Sequence, residues 1–190
     1  MANLKFHNKN HLIVLNILFC LIPLSYIIGN FAINFNVFLL IIFSLIFHNK
    51  KIFKTKLLLV DKIILLFFVF ALFSGIINTL ESLSGNHDNS ILIKSILFFR
   101  YLLLYFILRY LNEKNIIFFK WFFISSLICT LFVSVDIFYQ LTFSIDMFGL
   151  KPLHPSKLSG PFGDELIAGA YIYKFSLFGI FVLPFFKFKK

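Results

Sequence analysis

Acidic residues are scarce in this chain, eight among 190, and four of them (Asp136, Asp146, Asp164, Glu165) fall within residues 136–174. Cysteine is scarcer still. Cys20 and Cys129 both lie in apolar runs, which excludes a disulfide framework and leaves them as small buried hydrophobes. Bulky Leu18 and Phe19 before Cys20 exclude a lipoprotein processing site. The first apolar run, Leu12 to Ile28, has a basic flank but no small-x-small site after it, so it reads as a retained anchor. There is no P-loop, dinucleotide fingerprint, nucleophile elbow, metal-ligand cluster or internal repeat, so no cofactor and no metal is expected.

Hydrocarbon is what the chain does have. Apolar residues make up 60% of it, with 30 phenylalanines and a mean hydropathy of +0.94, against roughly 45–50% apolar residues in a soluble domain. The apolar residues fall into runs long enough to cross a bilayer, which takes about 20 helical residues each. The pattern predicts an all-α polytopic transmembrane bundle of six spans in one domain, at about 11–29, 31–47, 60–80, 91–111, 116–135 and 166–186. The heavy use of Phe, Ile, Lys and Asn reads as a compositional bias and carries no functional weight.

The formal net charge of +10 reports topology rather than a nucleic-acid partner. Of the 18 Lys and Arg residues, 13 lie at alternate span ends on one side and only Lys94, Lys151 and Lys157 on the other, leaving Arg100 and Lys174 within spans. That bias puts both termini in the cytoplasm, with membrane lipids as the counter-charge. Gly29 and Asn30 form a tight turn between the first two spans, and the lysine-rich stretch from His48 to Lys62 is a cytoplasmic loop. Glu81 to Ser90, short and net acidic, is an external one. Residues 134–165 form a second external loop, too long for a helix hairpin and too apolar for disorder, and such a loop is where function is sought.

Two cations stand where a membrane should exclude them. Arg100 follows Ile91 by nine residues and Lys174 follows Leu166 by eight, placing them roughly 13 and 12 Å below the outer surface at 1.5 Å per residue. Intramembrane charges face a bundle interior or a wet cavity. Two readings follow: both cations snorkel or pair with Asp136 as helix glue, or they line an outward-facing pocket for an anion such as phosphate. Lys157 stands beside the same loop turn, either solvated or part of that pocket, and His154 is a conceivable proton-transfer group or a plain external residue. Asp164 and Glu165 suit the first turn of the last helix as caps. Ala168, Gly169 and Ala170 suit close helix packing.

Leu21 to Asn34 (LIPLSYIIGNFAIN) and Asp136 to Tyr171 carry a family resemblance. Its elements are D-x-F-Y-Q (Asp136, Phe138, Tyr139, Gln140), D-x-F-G (Asp146, Phe148, Gly149) and the turn Lys157-Leu158-Ser159-Gly160-Pro161-Phe162-Gly163-Asp164-Glu165. Together they resemble the amino-terminal half of bacterial O-antigen ligase or O-antigen polymerase-like membrane proteins. Lys157 replaces the arginine usual there, which keeps charge but loses bidentate phosphate recognition. The resemblance implies a bacterial inner-membrane protein of surface-polysaccharide assembly that transfers saccharide from a polyprenyl-diphosphate-linked glycan to an acceptor. It implies Lys157, Arg100 and Lys174 as substrate-binding residues, supported by Asp136, Asp164 and Glu165. Such proteins have further spans and a later histidine-bearing loop, so a truncated form, or completion by a second polypeptide, is expected, with no catalytic base assigned. The competing readings are a non-catalytic transport or flipping protein for an anionic substrate, and an inactive fragment.

Overall fold

The structure, a computed structural model, describes residues 2–48, 51–52, 56–82, 90–152 and 157–185. Among them there is no strand, and the longer elements are seven α-helices: α1 (Ala2–Cys20), α2 (Ile22–Ile28), α3 (Asn30–His48), α4 (Leu59–Ser82), α5 (Ser90–Glu113), α6 (Phe119–Phe143) and α7 (Ala168–Ile180). Helix is the expected outcome for apolar segments in a bilayer, because every backbone N–H and C=O then finds its partner within the segment. By length and composition, α3, α4, α6 and the stretch from α7 to Phe185 can each cross a membrane, and α1 with α2 makes a fifth if that bent pair is one span. α5, the expected span 91–111, is 24 residues long but is not in that set; Lys94, Arg100 and Arg109 interrupt its apolar character. Apolar side chains point outward, as at Phe31 and Phe70, 83% and 72% exposed.

The chain divides into two compact units, Met1–Leu40 with Ile116–Lys190, and Ile41–Asn115, the boundary falling within α3. In the first unit α1 and α2 meet at a 48° bend. Pro23, at the start of α2, has no N–H to continue the helical ladder, which accounts for the break. The neighbouring carbonyls are satisfied from elsewhere: Ser125 Oγ donates to Cys20 O at 2.7 Å and Tyr171 Oη to Pro23 O at 3.0 Å. Gly29, at φ +124°, joins α2 to α3. Asn36 on α3 folds back to donate to Leu18 O and Ser25 Oγ at 3.1 and 3.0 Å. Asn16 fastens the entry to α6, donating to Ile116 O at 2.9 Å and accepting from the N–H of Phe118 at 2.7 Å.

α6 is the centre of this unit, packing against α1, α2 and α7. Phe19 stacks on Phe122 at 4.7 Å. α7 presents Ala168, Tyr171, Phe175 and Gly179 as one buried row. The close approach falls at Gly179, where a Cβ would stand 3.2 Å from Leu127 Cδ1. Of the small residues expected to pack, Ala168 is buried, whereas Gly169 and Ala170 are exposed.

The expected end of the fifth span near residue 135 is corrected: α6 runs two turns further, to Phe143. Asp136 and Gln140 continue the buried face of Ser126, Cys129, Thr130 and Val133, so polarity that reads as loop in the sequence is a buried helix face. The helix stops at Ser144, which adopts the left-handed conformation at φ 60° and donates its N–H to Gln140 O.

In the second unit α4 and α5 pair along their lengths, with Phe68 stacked on Phe98 at 5.0 Å. One end is closed by a polar network around Asp61, which is fully buried. Asp61 accepts from Tyr105 Oη at 2.7 Å, from the N–H of Leu58 and from Arg109. The Leu58 contact is half of a capping box at the start of α4. Arg109 also reaches Lys56 O at 2.7 Å and Glu113 at 2.9 Å.

Candidate functional site

The three motif segments fold onto one another at the end of α6. Asp136, one face of which abuts the loop, accepts the N–H of Met147 through Oδ1 at 2.7 Å. Asp146 turns back on its own loop, its Oδ1 accepting from Phe148 and Leu150 at 3.0 and 2.6 Å, while its N–H donates to Leu150 O at 2.9 Å. Gln140, one helical turn beyond Asp136, accepts the N–H of Gly160 at 2.9 Å. Gly160 opens a short 3-10 turn, Gly160–Phe162. At φ +56°, with Ile137 Cγ1 3.0 Å from where its Cβ would be, it is a position for glycine alone.

Every polar member of this junction is enclosed: Asp136, Gln140, Asp146 and Ser159 are each no more than 1% exposed. Four of their polar atoms have no partner, namely Asp136 Oδ2, Gln140 Nε2, Asp146 Oδ2 and Ser159 Oγ. Burial of an ionised carboxylate that lacks a counter-charge costs several kcal/mol. Native interiors rarely tolerate such groups without a reason.

Beside the junction lies a cavity of about 270 Å³ lined by Gln140, Leu141, Ser144, Lys151, Pro152 and Leu158. Lys157, adjacent to Leu158, is exposed next to it, as is Lys151. A second small cavity, about 220 Å³, is lined in part by Asn30, Pro161, Phe162 and Glu165. No protein-family model, curated protein or solved structure matches this chain.

Lys174 is exposed on α7, off the row that packs, and Asp136 is in no ion pair among the described residues. Arg100 belongs to the second unit, where its guanidinium lies 4.8 Å from the Tyr101 ring and donates to Tyr101 Oη at 3.1 Å, leaving a buried Nε without a partner. Asp164 and Glu165 do not cap α7. That helix begins only at Ala168 behind Ile167, with no acid in its first turn. The reason is local: the N–H of Glu165 donates to Phe162 O at 3.1 Å and Gly163 sits at φ 60°, so the chain is still turning where the acids fall. Glu165 instead accepts from Asn30 Nδ2 at 3.3 Å. His154 lies outside the described residues.

Lys151, which in the sequence counts only as an external cation, shares the cavity wall with Gln140 because the loop folds back, and Ser144 is there because it lies one helical turn beyond Gln140. Among the described residues no group of three or more His, Cys, Asp or Glu side chains is placed to hold a metal.

Proposed function

We propose that this protein acts in bacterial surface-polysaccharide assembly, resembling O-antigen ligases and polymerases, and that the loop beyond α6 faces a polyprenyl-diphosphate-linked glycan on the outer side of the inner membrane. One observation carries the reading: residues of all three motif segments meet at one junction whose adjoining cavity has Lys151 and Leu158 in its wall, Lys157 being the exposed residue before Leu158. In this account α5 also crosses the membrane, as the fourth of six spans, and both termini are cytoplasmic. A hydrophobic helix with Arg100 and Lys94 crosses where protein or an anionic ligand covers the charge.

The step is a displacement at the anomeric carbon of the carrier-linked sugar. The bond from that carbon to the diphosphate oxygen breaks as a bond to the acceptor hydroxyl oxygen forms, and the acceptor proton passes to a base. Lys157 and Lys151 offset the charge that develops on the departing polyprenyl diphosphate, with Lys174 of the same unit as a further cation. The base is assigned to a second polypeptide or to residues outside those described. Gln140 acts indirectly, by accepting the N–H of Gly160 and so holding the turn three residues from Lys157.

The test is glycan transfer in membranes containing the full chain, with a fluorescent polyprenyl-diphosphate oligosaccharide as donor. Lys157→Ala is expected to cut turnover at least tenfold and Lys157→Arg to preserve it. Transfer unchanged in Lys157→Ala, or no transfer by the wild-type membranes, overturns the reading.

A further inference from the structure

Asp136 and Asp146 bring two carboxylates beneath the loop, and nothing among the described residues balances them. Each gives one oxygen to backbone N–H groups and keeps a buried Oδ2 unpartnered. The neighbouring cations do not serve, because Lys151 and Lys157 are exposed and neither is ion-paired with these acids. The cluster also contains more than acid. Ser159 is 1% exposed with an unpartnered Oγ, and Gln140 leaves its Nε2 unpartnered although its Oε1 is bound to Gly160.

Two contacts bring these residues together at the end of α6: Asp136 accepts the N–H of Met147, the residue after Asp146, and Gln140 accepts that of Gly160, the residue after Ser159. Gly160 lies so close to α6 that a Cβ on it would stand 3.5 Å from Asp136 Oδ2, and Ser159 is its immediate neighbour. Gln140 sits one turn along the same helix face as Asp136, bridging from that face to the Gly160 N–H. A water molecule there would pair the orphan atoms but would bring no positive charge to the two carboxyl groups.

We propose that Asp136 Oδ2, Asp146 Oδ2 and Ser159 Oγ bind a divalent cation, calcium being the best fit, with Gln140 Nε2 donating to a water or carboxylate oxygen of its shell. The donors are all hard oxygens, with no thiolate or imidazole among them, which disfavours zinc and copper. They come from a helix and two separate turns, so the shell is irregular. Calcium accepts such shells and completes them with water and carbonyl oxygens, whereas magnesium demands near-ideal octahedral geometry. Two carboxylates are few for a calcium site, so the dissociation constant is expected near 0.1–1 mM, roughly the range of extracellular calcium modules. The ion ties the end of α6 to the Asp146 turn and the Ser159 turn at once. It also cancels the negative field that would otherwise repel an anion from the adjoining cavity. This inference needs no glycan chemistry and stands or falls apart from the transfer reading.

Purified full-length protein in detergent, stripped with EGTA, is titrated with CaCl2 or MgCl2 while its thermal midpoint is followed, and calcium stoichiometry is measured by titration calorimetry. Calcium is expected to bind once per chain and to raise the midpoint, at least tenfold more tightly than magnesium. Asp146→Asn and Asp136→Asn are expected to weaken binding at least tenfold, and Ser159→Ala several-fold. A folded wild type with no saturable calcium effect overturns the proposal, even if every variant fails to fold, and so does equal calcium binding by wild type and a folded Asp146→Asn variant. Equal affinity for magnesium overturns the calcium assignment.

Discussion

Gly160 and Gly29 both hold positive φ angles, but only Gly160 is also hemmed in, with Ile137 Cγ1 3.0 Å and Asp136 Oδ2 3.5 Å from a would-be Cβ, whereas nothing lies within 4 Å at Gly29. Backbone strain of this kind costs about 1–3 kcal/mol. Crowding adds to it at one position and not at the other. Gly160→Ala is therefore expected to lower the thermal midpoint more than Gly29→Ala, measured in the same detergent, and equal losses would contradict the close approach of the 3-10 turn to α6. The same scale shows what side-chain chemistry in the sequence concealed. Asn16 and Tyr171 each bind a distant backbone carbonyl, and no local pattern marks an asparagine or a tyrosine in an apolar run as such a fastener.

The pairing of α4 with α5 depends on more than apolar contact. In a bilayer the hydrophobic effect gives little reason for helices to associate, so packing and interhelical polar contacts decide. Asp61 is enclosed and meets Tyr105 and Arg109 from α5 while capping its own helix. Removing one partner of a buried ion pair costs about 3–5 kcal/mol because the other charge is stranded. Asp61→Asn and Arg109→Gln should each destabilise strongly, and the double variant should lose less than the sum, by about 1–3 kcal/mol. A thermodynamic cycle of four unfolding midpoints checks this, and strict additivity would show the pair to be idle. In the sequence Arg109 reads as a topology-setting flank and Asp61 as nothing in particular. Their spacing of 48 residues gives no local signal.

For the whole molecule, orientation is the property on which the functional reading depends. The lysine bias predicts that Ser144, where α6 ends, and Lys114, after α5, lie on opposite sides of the membrane. In a background with Cys20 and Cys129 replaced, a cysteine at position 144 is expected to react with an impermeant maleimide in intact cells. One at position 114 is expected to react only after permeabilisation. Labelling in the reverse order would turn the cavity beside Lys151 toward the cytoplasm and remove its access to a carrier glycan on the outer face.

The sequence by itself determined that the chain is helical and apolar enough for a bilayer, and it located α3, α4 and α5 to within a few residues, because hydrocarbon length and backbone satisfaction are local constraints. α3, α4 and α5 follow the expected spans closely, and α6 exceeds its span only because Asp136 and Gln140 are polar residues on a buried face. It also singled out the segment from Asp136 to Glu165. Only the tertiary structure decided which of those residues meet: it gathered Asp136, Gln140, Asp146 and Ser159 into one enclosed junction, left Lys157 and Lys174 exposed, and moved Asp164 and Glu165 off the helix start they were expected to cap. The physical reason is that a side chain's partners here lie 10 to 20 residues away, as Met147 does for Asp136 and Gly160 for Gln140, and such contacts depend on how a loop folds back rather than on any periodicity along the chain.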